Sequence, residues 1–172
     1  MHTIHQIATQ ADSKEEAHAR VKDYLETQLG NDHNYTPTWF DWFVTGGGRW
    51  STSDDPYNNN YTDDVVHSSE PKFAENIAKA MEWRNEELQR FVKEAKEVKL
   101  LELLSQVGQP DDFRVGHQLY PVKKVYDFTM GVWGSSSYFF DMINDTTTDK
   151  YMQESLDSGD KTWYAVPVDF HF

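Results

Sequence analysis

The chain of 172 residues contains no cysteine, and this absence removes several classes of chemistry. A disulfide framework, thiolate catalysis and cysteine-based zinc or iron–sulfur sites are excluded. No apolar run approaches the roughly 18 residues that a membrane span requires, and the first residues lack the basic and apolar regions of a signal peptide. We therefore expect a cytoplasmic protein with no membrane partner.

Positively charged residues are also scarce. The chain has 16 Lys and Arg residues and 29 Asp and Glu residues, which gives a formal net charge of −13. Binding to phosphates needs clustered Lys and Arg, so this balance opposes direct binding of nucleic acid. Two interpretations of the charge stay open. It keeps the protein soluble, or an acidic face binds a basic partner protein in the place of DNA or RNA.

The apolar pattern predicts an α+β fold with a mainly antiparallel sheet that opens with a β-α unit. Helix 14–29 follows a capping-box sequence from Ser13 to Glu16. Strict alternation near the C-terminus predicts a strand with one core face and one half-polar face. Pro121 interrupts the predicted strand 117–127, which we therefore expect at an edge of the sheet. The predicted strands cover residues 3–9, 38–45, 117–127 and 163–171.

The middle of the chain predicts a long loop followed by a long helical segment. Residues 51–69 are rich in Asp, Asn, Ser and Tyr without an apolar period, which is typical of a mobile loop. Residues 70–107 keep a helical stripe, and their length predicts a break near Asn85. The chain has no internal repeat and no linker, so we predict a single domain, residues 1–172, with segment 70–107 as a helical insertion.

Two short motifs carry the candidate functional residues. In Gly46-Gly47-Gly48-Arg49 the amides can face an anion, or the glycines serve a sharp turn. Asp169 and His171 are two residues apart on a predicted strand and so share a face, where the carboxylate can orient the imidazole or both can be solvated. We expect the Arg49 side chain to be partly buried against a carboxylate or a ring. The candidate functional cluster is Asp41, Arg49, Asp169 and His171.

No metal or cofactor site is predicted. His2 and His5 are three apart, which on a strand places them on opposite faces and makes them a poor metal pair. The loop carboxylates lack the alternating spacing of a calcium loop, and no nucleophile elbow or nucleotide-binding fingerprint is present. Catalysis stays undecided, with a non-enzyme preferred. The candidate partner-binding residues are Asp54, Asp55, Tyr57, Tyr61, Asp63 and Asp64.

Two parts of the chain carry a family resemblance. The segment from Trp42 to Trp50, Trp-Phe-Val-Thr-Gly-Gly-Gly-Arg-Trp, resembles the W-x-x-G-G-R-W element of small bacteriophage proteins without an established activity, with one glycine more. Val168-Asp169-Phe170-His171 is similar to the Val-Asp-x-His strand on which those proteins end. The resemblance covers both ends of the chain, excludes the long helix, and implies a viral or prophage origin.

Three functional hypotheses follow. The preferred one is a phage-type accessory protein in the host cytoplasm. It binds and inhibits a host defence protein with a basic surface, such as a CRISPR effector, through an acidic surface that mimics nucleic acid. The second is a small enzyme or ligand-binding domain that uses the candidate functional cluster. The third is a structural or assembly protein of the virion. The sequence specifies neither the target nor the oligomeric state.

Overall fold

The computed structural model describes residues 1–29, 39–55, 57, 62–105 and 112–172. Within these ranges the chain forms five α-helices and a mixed, mostly antiparallel five-stranded sheet, which confirms the predicted α+β class and its opening β-α unit. The helices are α1 Lys14–Leu29, α2 Pro71–Lys96, α3 Leu100–Leu104, α4 Asp112–Thr129 and α5 Lys150–Asp157. The strands are β1 His2–Gln10, β2 Trp42–Thr45, β3 Val66–His67, β4 Phe139–Asp141 and β5 Trp163–His171.

The first and last strands form the centre of the sheet. The strand order is β2-β5-β1-β4, and β3 pairs with β5 alongside β2. β1 and β5 run antiparallel from the pair His2–His171 to the pair Gln10–Trp163, whereas β1 and β4 are parallel. Every residue of β5 except His171 is buried. The predicted half-polar face of this strand is therefore wrong, because helices and loops cover both faces.

The two faces of the sheet are covered by different helices. α1 packs Val21 and Leu25 against the face that carries Phe170, and α2 packs Phe73 and Ile77 against the face that carries Trp163. The capping box of α1 is confirmed. The Glu16 amide donates to Ser13 Oγ at 3.1 Å, and the Glu16 carboxylate accepts the Asp12 amide at 2.8 Å.

The prediction of a strand over residues 117–127 is wrong, because these residues lie within α4. Pro121 sits inside that helix, at a cost of about 3 kcal/mol. Packing against α2 offsets the cost. The Phe91 ring of α2 lies 5.8 Å from the ring of Tyr120 and 6.1 Å from that of Phe128. Tertiary contacts outweigh local preference here.

Two predicted boundaries also move. α2 continues through Asn85, and the chain leaves the helix only at Glu97, before α3 begins at Leu100. Strand 38–45 is shorter than predicted, since only Trp42–Thr45 joins the ladder and Trp39 packs its ring on Phe170 at 4.8 Å. Residues 38, 106 and 107 of these predictions lie outside the described residues. In the described part of the chain, no helix has the length and apolar character needed to cross a membrane.

Candidate functional site

Three consecutive glycines follow β2, and each has a positive φ that other residues rarely adopt. The values are 90° for Gly46, 96° for Gly47 and 50° for Gly48. The amides of Gly46 and Gly47 donate to the carbonyl oxygen of Pro167, at 2.8 and 3.0 Å. Pro167 lies in β5 between the stretches that pair with β2 and β3. Neither β2 nor β3 pairs with β5 at this position. Because proline has no N–H, no backbone donor is left unpaired there.

The turn also holds the buried carboxylate of Asp169. A Cβ atom at Gly48 would lie 2.3 Å from the Asp169 Cβ, so only glycine fits. The backbone N–H of Arg49 donates to Asp169 Oδ2 at 3.2 Å. The Asp169 side chain is fully buried. The anion that faces this glycine turn is therefore a carboxylate of the same chain, and the two resemblance motifs meet at one contact.

His2 is the second partner of Asp169, and the sequence pattern did not predict it. Its Nδ1 lies 3.0 Å from Asp169 Oδ1, and its side chain is 14% exposed. Because Nδ1 is engaged, Nε2 is the nitrogen left to exchange a proton with a bound molecule. The pairing of the strands would have indicated this contact, since antiparallel pairing of the first and last strands sets His2 opposite His171.

His171 forms a second, more exposed pair with Asp41. Its Nδ1 lies 2.7 Å from Asp41 Oδ1, and this hydrogen bond lowers the pKa of Asp41. Trp42 stacks on the His171 ring at 5.3 Å, and the His2 ring meets the edge of both. Three of the four residues of the predicted cluster thus come together through their side chains. Among the described residues, no group of three or more His, Asp or Glu side chains could hold a metal ion.

The prediction for Arg49 is wrong. Its side chain is exposed, and within the described residues the guanidinium has no ion pair and no ring contact. Its backbone amide, and not its charge, connects it to the site. The chain turns so tightly at Gly48 that the Arg49 amide points inward at Asp169, which leaves the side chain directed outward.

A cleft runs between the sheet and α2 and ends at His2. Its deeper part is a cavity of about 250 Å³, and its more open part reaches His2, Glu86 and Glu87. The two parts share four lining residues, so they form one cleft. The shared residues are Ile4, Trp50, Trp83 and Tyr138.

Tyr138 is a strained residue in the wall of this cleft. Its φ of 54° is unusual for a bulky residue and costs about 1–3 kcal/mol. Its ring meets Trp83 edge-on at 5.7 Å, and its carbonyl accepts the Gln6 amide at 2.9 Å. Burial, and then the charge of Glu87, raises the pKa of the Tyr138 hydroxyl. Such strain is typical of functional sites.

The predicted partner-binding residues divide into two groups. Asp54, Asp55 and Asp63 are exposed, as is Tyr57 at 55%. Asp64 is only 5% exposed, and its carboxylate accepts hydrogen bonds from the Ser51 hydroxyl and from the amide and hydroxyl of Thr52. Asp64 therefore anchors the segment internally and offers no surface charge. Tyr61 lies outside the described residues.

Comparison with known proteins gives no relative for this site. No protein-family model matches the chain, and the searches of curated proteins and of solved structures found no significant match.

Proposed function

We propose that the protein is a small-ligand-binding domain. The cleft between the sheet and α2 holds the ligand, and the His2–Asp169 pair exchanges a proton with it. The observation that carries the proposal is the buried Asp169 carboxylate, which Gly48 accommodates, the Arg49 amide contacts and His2 meets at the mouth of the cleft.

Burial of the Asp169 carboxylate is unfavourable in free energy, and a purely structural site would not require it. Burying a carboxylate is expensive even when it is hydrogen-bonded, and Asp169 stands in the central strand where an apolar residue would serve packing better. Its effect on His2 is to fix the ring orientation and the position of the proton. Positioning of this kind is what general acid–base groups require.

The test is a nuclear magnetic resonance screen of small polar aromatic molecules against the wild-type chain. We expect binding molecules to shift the indole signals of Trp50 and Trp83 and the ring signals of His2. Trp83→Leu removes a wall of the cleft and should weaken binding roughly tenfold, in line with the loss of one aromatic contact. Tyr126→Leu, at a 61% exposed residue of α4, is the matched control and should bind as the wild type does. Shifts confined to α3 and α4, or none at all, would overturn the proposal.

The phage-type inhibitor is a second candidate, and one observation favours it. Asp54, Asp55 and Asp63 are exposed close in sequence to the half-exposed ring of Tyr57, a combination of charge and ring that suits a basic protein surface. Capture of a basic host defence protein, followed by a salt titration, tests it. Loss of binding and of salt dependence in the variant Asp54→Lys/Asp55→Lys supports this function. An unchanged affinity and salt slope contradict it.

A further inference from the structure

We propose that the ligand of the cleft is a nucleoside monophosphate: its phosphate lies at Lys72 and Lys79, its sugar lies next to the phosphate, and its base stacks on the aromatic walls with its polar edge towards His2. This inference rests on the proposed function and adds the chemical class of the ligand. It follows from the distribution of rings and charges along the cleft.

The walls of the cleft fit a planar ring. Trp50, Trp83 and Tyr138 line both of its parts, and the floor is formed by Ile4 and other β1 and β5 residues. Trp50 is 50% exposed, so its indole is accessible to a ligand. Bases of every type stack on such side chains because each presents a π-face.

One end of the cleft is cationic. Lys72 and Lys79 are seven residues apart on α2, so they project from the same face of the helix into the deeper cavity, with Asn76 between them. Neither lysine has a carboxylate within ion-pair distance among the described residues, and Lys79 Nζ lies 4.9 Å above the Trp83 ring. Two uncompensated ammonium groups beside an aromatic wall suit a phosphate attached to a ring system.

The one carboxylate at this end does not cancel the lysines by direct pairing. Asp64 lines the cavity, but its oxygens are occupied by three hydrogen bonds from Ser51 and Thr52. On the floor, Gln6 carries a buried Oε1 that no described group satisfies. Rotation of this amide would present a donor or an acceptor to the ligand.

The other end of the cleft carries carboxylates. Glu86, Glu87 and His2 line the open part of the cleft, so this end favours hydroxyl and amino donors and disfavours a second anion. A nucleoside monophosphate has this polarity, with an anionic phosphate at one end and, beyond the sugar, a base whose edge carries N–H donors at the other. A nucleic-acid strand would place further phosphates against Glu86 and Glu87, and the net charge of −13 opposes its approach.

The experiment is a titration of the four ribonucleoside 5′-monophosphates, with adenosine and ribose 5-phosphate as half-ligands, followed by calorimetry and by the indole signals of Trp50 and Trp83. We expect at least one monophosphate to bind more tightly than either half-ligand. The variant Lys72→Ala/Lys79→Ala should weaken monophosphate binding about tenfold and leave adenosine binding unchanged.

The matched control is Lys93→Ala/Lys96→Ala, which removes the same charge from positions of α2 outside the cleft. An equal loss in this control would reduce the effect to net charge and overturn the inference. If no monophosphate binds but the aromatic molecules of the screen still shift Trp50 and Trp83, the nucleotide assignment is wrong and the proposed function stands. If neither class binds, both are wrong.

Discussion

Two histidines on the same strand have opposite surroundings. His2 and His5 both belong to β1 and, being three residues apart, they lie on opposite faces of the sheet. His5 is fully buried on the α1 face, where it stacks on Trp39 at 4.9 Å and accepts the Trp133 indole N–H at 3.1 Å. His2 is partly exposed on the α2 face and meets Asp169.

The two histidines differ in the groups that contact their ring nitrogens. The described groups around His5 offer an indole donor at Nδ1 and the Ser135 carbonyl at Nε2, so the ring is held neutral with its proton on Nε2. Burial lowers the pKa of His5 to about 3. His2 has the buried Asp169 carboxylate instead, 3.0 Å from its Nδ1. One strand thus carries a buried histidine held among rings and a partly exposed histidine paired with a carboxylate.

The largest effect expected at neutral pH comes from a substitution at Gly48, which contacts Asp169 on the α2 face of the sheet. Gly48→Ala would push a methyl group into Asp169 and force alanine into a positive φ. We expect a loss of roughly 3 kcal/mol in the free energy of unfolding. Denaturant unfolding monitored by tryptophan fluorescence measures it.

Gly159→Ala is the matched control. Gly159 also has a positive φ, but no atom lies within 4 Å of the position that an alanine Cβ would take there. The substitution should cost only about 1 kcal/mol, from backbone strain alone. Equal losses in the two variants would show that the contact with Asp169 contributes nothing.

The sequence predicted the elements whose local signals agree with their packing. β1, α1 and β5 were predicted within a residue of their observed ends, because alternation, the capping box and burial all indicate the same structure. The residues of α4 include Pro121, which disfavours a helix, and their helix depends on contacts with α2 that no local pattern shows. The break after α2 was placed too early because it was inferred from the mean length of helices, whereas α2 extends over 26 residues.

The candidate site was predicted in part. Asp169 and His171 were named from their spacing and Asp41 as the polar residue of an apolar strand, and the structure brings the three together through His2. His2, Trp42 and the role of Gly48 were missed, because they depend on which strands pair. The position of Arg49 was wrong because a tight turn can direct either the amide or the side chain inward, and sequence does not distinguish the two.

The second prediction concerns His5 and acid. Its lowered pKa means that the folded chain keeps the ring neutral while the unfolded chain binds a proton below about pH 6.5. The unfolded state then holds more protons, so stability falls as the pH drops from 6.5 towards 3, by up to about 1.4 kcal/mol per pH unit from this group. His18, whose pKa is lowered by burial and by Lys22, acts in the same direction.

His5→Gln keeps groups that can bond Trp133 and Ser135 but does not titrate. We expect its unfolding free energy to depend less steeply on pH between 6.5 and 3 than that of the wild type. His117→Gln, at an exposed position of α4, is the control and should retain the wild-type slope. A His5→Gln slope identical to that of the wild type would contradict the neutral, buried His5.

The smallest effects should separate the two Asp–His pairs on the α2 face. Asp169→Asn keeps the shape of a buried side chain but weakens its bonds to His2 and to the Arg49 amide, which we expect to cost about 1–3 kcal/mol. Asp41→Asn changes an exposed pair, so its effect on stability should be small. Thermal unfolding at neutral pH compares the two.

The effect of Asp41→Asn on stability should depend on pH, and its direction follows from the pKa of Asp41. His171 lowers the pKa of Asp41, so the small stabilisation from this pair exists above the ordinary carboxylate pKa of about 4 and is lost as the pH falls through the lower folded-state value. The difference between Asp41→Asn and the wild type should therefore vanish in acid. Because salt screens exposed charges, it should also shrink at high ionic strength, whereas the loss in Asp169→Asn should persist there. If Asp41→Asn destabilises the chain as much as Asp169→Asn does, the two pairs act as one unit, and the site extends through Trp42 to the surface.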